Sequence, residues 1–306
     1  KLGTEAITAV SIAGQLIFVF NLAIFGGLSG PGIYGAQYYG QKNKEGFQST
    51  VRIKHMIGLG VLVLGLCAFI FGGEFLIDLY LRGESKDIDP VLTMEHAKSY
   101  LGIMLWGLPA FVLTQIYAGS LRETGASLMP MAAGIVSVAT DVVGNYLLIY
   151  GKFGFPQMGV EGAALATVIS RIAEMLIVIT ITFIMRKKHD FVVGLYKTMR
   201  VPRDIAPKII QKSLPIFFNE FLWAGGMAAL TQCYSRRGRD IVAGLNISNA
   251  LCNLLNVVFI ALGNAVGILI GQTLGASRYK DAKEEAFRMM WFTGGVSFIL
   301  TVILIS

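Results

Sequence analysis

Charge is what this 306-residue chain has least of. Asp, Glu, Lys and Arg make up 15% of it, where a soluble domain carries about 25%. With 54% hydrophobic residues and a mean hydropathy of +0.63, that scarcity excludes a water-soluble globule. Cysteine is nearly absent too. Cys67, Cys233 and Cys252 stand in apolar segments, and none of His55, His96 and His189 is near them. Neither a disulfide framework nor a zinc spacing results, and the cysteines read as small buried hydrophobes. No P-loop occurs, so ATP hydrolysis is excluded and energy has to come from an ion gradient. The ten-residue alternating strands of a closed barrel are also missing, which leaves α-helices as the way across a bilayer. The net charge of +7 is spread between apolar segments, so nucleic acid is not a partner.

What the chain does have is apolar length. Eight segments reach or approach the roughly 20 residues needed to cross a hydrocarbon core: 7–36, 56–81, 99–120, 127–150, 162–186, 209–233, 240–275 and 289–306. The predicted class is an all-α integral membrane protein. Within it the chain repeats itself. An offset of 235 residues, without a gap, sets Gly3, Ile12, Leu16, Asn21, Gly32, Ile33, Gln37 and Gly40 on Gly238, Ile247, Leu251, Asn256, Gly267, Ile268, Gln272 and Gly275. The repeated segments are the first and seventh, so a period holds six spans. An even number makes the two copies enter the membrane in the same direction. Two complete six-helix copies would give twelve helices, of which this chain would lack the first and the last three.

Loop charge gives orientation. Loops near 42–54, 122–126, 187–208 and 277–288, with their flanks, hold 17 of the 26 Lys and Arg residues, Lys42, Lys44, Arg52, Lys54 and Arg122 among them; the opposite side holds eight. The richer side is predicted cytoplasmic, in the cell membrane of the organism. Residues 187–208 are polar, basic and interrupted by Pro202 and Pro207. They read as a linker between an N-terminal lobe (1–186) and a partial C-terminal lobe (209–306). Ile205, Ile209 and Ile210 beside Lys208 and Lys212 fit either an amphipathic approach to the membrane surface or a solvated loop.

Gly263, Gly267, Gly271 and Gly275 recur every four residues, and Gly32, Ala36 and Gly40 echo them. Such stripes let helices approach closely in lipid. Gln37 and Gln272 end their helices, where each can bond a neighbouring backbone. Embedded ionisable groups are costly, so each is a candidate site. Asp141 and Asn145 lie one turn apart on the fourth span. Their carboxylate and amide oxygens suit a hard cation such as Na⁺, or proton exchange. Glu220, preceded by Asn219 and by Pro215, lies midway along the sixth span. Neither acid has a basic partner within a turn of its own helix. Arg171 and Glu174 are spaced i,i+3 on the fifth span; the plain reading is a mutual ion pair, with a functional role as the alternative. Glu74 and Asp78 read as interfacial.

Several stretches carry a family resemblance: Leu2-Gly-Thr-Glu-Ala6, Gly35-Ala-Gln-Tyr-Tyr-Gly-Gln-Lys-Asn43, Leu121-Arg-Glu-Thr-Gly-Ala126, Asp141-Val-Val-Gly-Asn145, the run from Tyr150 to Thr167, and Gly271-Gln-Thr-Leu-Gly275. Together they resemble the multidrug and toxic compound extrusion (MATE) transporters over almost the whole chain. The resemblance implies two six-helix lobes forming a V, no enzymatic activity and no cofactor. It also implies export of small organic, often cationic, compounds in exchange for Na⁺ or H⁺ by a protein monomeric at full length. On it, Asp141 and Asn145 match the polar pair of an N-lobe cation site, and Glu220 an embedded C-lobe glutamate. A lipid-linked oligosaccharide flippase of the same superfamily is the nearest rival. It would need a cavity rich in arginine, and only Arg171 is embedded. A membrane receptor or enzyme is the other, disfavoured by the duplication.

Overall fold

The computed structural model describes residues 3–81, 89–187, 190–202, 205–235 and 239–305. Gly238 of the repeat, and Lys1, Arg82, Lys86, Lys188, Arg203, Arg236 and Arg237 of the charge tally, lie outside them. Among the described residues the longer elements are nine α-helices, with no strand: α1 (Thr4–Gly40), α2 (Lys44–Leu81), α3 (Pro90–Leu105), α4 (Leu108–Glu123), α5 (Leu128–Tyr150), α6 (Val160–Ile184), α7 (Ala206–Ser235), α8 (Arg239–Gly275) and α9 (Tyr279–Ile305). By length and composition six can cross a membrane, or seven if α3 and α4, bent by 46°, count as one broken span. All eight segments anticipated above fall on helices. The shortfall is α7, which has 30 residues but is diluted by Lys208, Lys212, Asn219, Glu220 and Gln232.

The segment 99–120 is not one helix, because Pro109 cannot donate to the carbonyl one turn back and its ring presses on that turn. Trp106 N and Gly107 N therefore tighten onto Ile103 O and Met104 O, at 3.1 and 2.9 Å. α4 restarts with proline in its first turn. Helices also outrun the apolar segments. α1 and α2 have 37 and 38 residues, about 56 Å at 1.5 Å per residue. Much of 42–54 and 277–288, read as loop, is thus the first turns of α2 and α9.

α1 is the hub, packing on α2, α3, α4, α7 and α8. Its Ala9, Ile12, Ala13, Leu16, Phe20 and Ile24 recur at helical spacing and are buried. The outer faces are apolar and uncovered: Phe71 is 86% exposed on α2 and Phe298 72% on α9. Patches of that extent are untenable in water and suit lipid. Cys67, Cys233 and Cys252 are exposed, not buried as anticipated, because in a bilayer an apolar side chain gains nothing by turning inward.

The repeat is visible in how α1 meets α8. A Cβ on Gly40 would collide with the carbonyl oxygen of Gln272, and a Cβ on Gly275 with that of Gln37. Gly40 and Gly275 are repeat equivalents, as are Gln37 and Gln272, so the contact is reciprocal. Ala36 and Gly271, another equivalent pair, meet each other, with 3.0 Å between the Ala36 Cβ and the place a Gly271 Cβ would take. A contact in which i touches j while j touches i is the mark of a two-fold relation. The two helices meet with their carboxyl ends side by side.

The stretch 187–208 is anchored near its start, exposed over 196–200, and passes into α7 at Ala206. Phe191, Val192 and Leu195 are buried, and the Phe191 ring packs 5.1 Å from Phe47 of α2. Gln48 Nε2 donates to Phe191 O and Val193 O, at 2.9 and 3.0 Å. Arg52 Nε donates to Leu195 O at 3.1 Å. Ile209 is fully buried while Ile210 is exposed.

Candidate functional site

α5 and α6 form a hairpin built on small residues. Gly151, at φ +62°, closes α5 in a left-handed turn that glycine adopts without strain. Met158 N then returns to Leu148 O at 2.9 Å. This brings Gly162 against the Leu148 backbone, 2.8 Å from where its Cβ would stand. Gly144 similarly admits Ala166, and Ser137 Oγ donates to Ser170 O at 3.2 Å.

Between these contacts lie Asp141 and Asn145. Asn145 Nδ2 donates to Asp141 Oδ2 at 3.1 Å, which holds the two side chains side by side. The remaining oxygens, Asp141 Oδ1 and Asn145 Oδ1, are buried with no hydrogen-bond partner. Two such oxygens one turn apart are incomplete by themselves. They have the chemistry to bind Na⁺ or, through the carboxylate, a proton. The described residues contain no group of three or more His, Cys, Asp or Glu able to hold a metal, so further ligands would be amide, hydroxyl or carbonyl oxygens and water.

Arg171 and Glu174 do not pair with each other within 4 Å, contrary to the plain reading of their spacing. Arg171 instead crosses the break between α3 and α4. Its Cδ packs 3.3 Å from where a Gly107 Cβ would be, and its guanidinium lies 5.1 Å from the Phe111 ring centroid. Tyr100, Glu174 and Asp141 are within its electrostatic reach, yet its Nη1 is buried without a partner. Glu174 has its Oε1 3.9 Å from where a Gly134 Cβ would stand, with Ser137 and Arg122 in its surroundings. Asp141, Asn145, Arg171 and Glu174 therefore form one polar region inside the α3–α6 packing.

Glu220 is elsewhere. It is half-buried on α7, with its Cγ 3.3 Å from where a Gly26 Cβ on α1 would stand, while neighbouring Asn219 is exposed. The glycine stripes divide by contact. Gly32 faces the Glu123 carboxylate at 3.0 Å, and Gly40, Gly271 and Gly275 sit at the α1–α8 crossing. Gly263 and Gly267 meet nothing within 4 Å among the described residues.

Sequence reasoning missed a second polar centre. Lys54, counted as a loop charge, is 1% exposed in α2, with Nζ 2.5 and 2.6 Å from the Glu123 carboxylate oxygens and 3.2 Å from Ser120 Oγ. The available signal was Glu123 itself, an acid inside the Leu121–Ala126 motif. Nearby, the Tyr196 hydroxyl meets that of Tyr117 and, at 3.1 Å, His55 Nε2.

The model of the MatE family matches residues 1–147 and 215–306. The chain belongs to the MatE family. MatE members are transporters rather than enzymes. This chain is 28% identical over 308 residues to the probable multidrug resistance protein YoeA of Bacillus subtilis (strain 168), covering 98% of the chain and 64% of YoeA. It is 30% identical over 258 residues to the probable multidrug resistance protein NorM of Bacillus anthracis, covering 82% of the chain and 54% of NorM. It also superposes, at TM-score 0.72 and 20% identity, on an outward-facing conformation of a multidrug resistance MATE family transporter of the MOP superfamily, covering 99% of this chain and 64% of that one. A MOP superfamily transporter from Pyrococcus furiosus Vc1 (DSM3638) superposes at TM-score 0.74 and 18% identity, covering 99% and 63%. The MatE fold and the membrane setting are thus established. The chain spans less than two thirds of the length of these relatives.

Proposed function

We propose that the whole protein exports small organic, often cationic, compounds across the cell membrane in exchange for Na⁺ or H⁺, by alternating access between two lobes, as a monomer. The observation that carries this reading is the Asp141–Asn145 pair, whose two buried oxygens lack partners in a setting where an idle carboxylate is costly. The multidrug resistance names of its relatives support the choice of cargo. Cation or proton binding at Asp141 neutralises that charge, which favours whichever conformation closes protein oxygens around it. Only a difference in affinity between the two states can drive the exchange. Glu220, facing α1 from α7, supplies a second acid, apart from the α5–α6 hairpin that carries Asp141.

The test is gradient-driven dye export by the whole protein in proteoliposomes. Asp141→Asn keeps the shape and removes the charge. It is expected to abolish export driven by a Na⁺ or pH gradient while the protein still inserts. Export at the unsubstituted rate rules the site out. Running each gradient alone distinguishes Na⁺ from H⁺.

A further inference from the structure

The Lys54–Glu123 pair stands where α1, α2, α4 and α8 converge. Its side chains are 2% and 6% exposed, so neither charge is shared with water. It belongs wholly to α2 and α4, and it need not break for α8 to move. Its effect on α8 runs through two routes. The first is α1, whose glycines fit around the carboxylate: a Cβ on Gly35 would collide with Glu123 Oε2, and one on Gly32 would stand 3.0 Å from Oε1. The carboxylate position thus fixes where the last two turns of α1 lie. Those same turns, through Ala36, Gln37 and Gly40, make the reciprocal contact with Gly271, Gln272 and Gly275. The second route is direct. Glu123 ends α4, and its main-chain carbonyl is one of those that a helix leaves without an internal partner. Gln272 Nε2 of α8 donates to it at 2.6 Å.

We infer that Lys54, Glu123 and Gln272 form a lock holding α8 against α1 and α4 at the basic end of the protein, and that Gln272 is the part that releases. The division of labour follows from the chemistry. A buried ion pair deprived of one partner leaves an uncompensated charge, so it is a poor element to break in each cycle but a good fixed seat. One amide–carbonyl hydrogen bond and a set of glycine contacts are cheap to part and to remake. The seat therefore stays assembled, and opening separates Gln272 from the end of α4. This inference rests on the alternating-access reading above.

Double electron–electron resonance on the whole protein in nanodiscs tests it. Spin labels go on Lys44→Cys and Lys280→Cys, both exposed at the starts of α2 and α9, with Cys67, Cys233 and Cys252 replaced by alanine. Gln272→Leu leaves the ion pair and the α2–α4 packing intact, so folding is not at risk. It is expected to raise the ratio of separated to close populations about fivefold, what one hydrogen bond to the closed state is worth. Glu123→Gln is expected to shift the same ratio in the same direction, with Gln272→Leu deciding alone if that variant does not fold. An unchanged distribution in Gln272→Leu overturns the lock. The measurement needs neither substrate nor ion gradient. If Gln272→Leu opens a protein that exports nothing, the lock stands and the efflux reading fails; if export is normal and Gln272→Leu moves nothing, the reverse holds.

Discussion

Gly40 and Gly275 have no room for a side chain, since each lies on the other copy's Gln carbonyl. Alanine at either forces α1 and α8 apart. It is expected to cost about 1–3 kcal/mol, the usual range for overpacking a tight contact, and to lower the melting temperature in detergent. Gly263→Ala, which meets nothing within 4 Å, removes only a flexible residue from α8 and is expected to hold or raise that temperature. Equal losses at all three positions refute the assignment of the contact. The fourfold spacing of these glycines marks a stripe in the sequence, but which rungs touch a neighbour is set by where α1 crosses, and no local pattern encodes that. Arg171 shows the same limit. Its i,i+3 distance from Glu174 permits a pair, and packing over Gly107 and Phe111 draws the guanidinium away. Because no partner within 4 Å is lost, Arg171→Leu is expected not to lower the melting temperature. A fall of several degrees shows that the guanidinium is held by bonds beyond those described.

At the scale of elements, α5 and α6 share the most extensive helix contact in the described residues. Gly162 lies 2.8 Å, measured from its would-be Cβ, from the Leu148 main chain. Backbone cannot swing aside as a side chain can, so Gly162→Val is expected to destabilise the hairpin by about 1–3 kcal/mol. The loss would appear as a lower melting temperature and as loss of ion-dependent export, because the hairpin carries Asp141 and Asn145. Normal melting and export would show that the hairpin tolerates separation there. The existence of both helices was legible from apolar length, and the Asp141–Asn145 pair from its one-turn spacing. The break between α3 and α4 was also written in Gly107 and Pro109. It escaped notice because the apolar run continues through it, and length outweighed the proline. The true start of α2 escaped for the opposite reason. Its first turns are polar and carry Lys54, and only a partner 69 residues further along the chain, Glu123, explains why that lysine is buried.

For the whole molecule, the carboxyl ends of α1, α4 and α8 meet at one end, through Gly40, Glu123, Gln272 and Gly275. α2 and α9 begin within a few residues of those ends, so Lys42, Lys44, Arg122, Arg278 and Lys280 gather there, and Arg52 binds the 187–208 stretch beside them. α5 starts at Leu128, just after Glu123, and runs 23 residues away, about 34 Å at 1.5 Å per residue. Lys152 is thus placed at the opposite end. The repeat, the even number of spans in its period and the loop charges make this polarity readable in the sequence, because each depends on counting along the chain rather than on contacts. From the bias in Lys and Arg, the crowded end is expected to face the cytoplasm. Single cysteines at Lys44→Cys, Lys280→Cys and Lys152→Cys, in a background free of native cysteine, test the assignment with a membrane-impermeant maleimide. Right-side-out vesicles are expected to label only the cysteine at 152, and inverted vesicles those at 44 and 280. The opposite pattern inverts the protein in the membrane and places the Gln272 lock at the outer face; labelling of 44 and 280 from different sides would break the parallel relation between the two copies on which the fold is built.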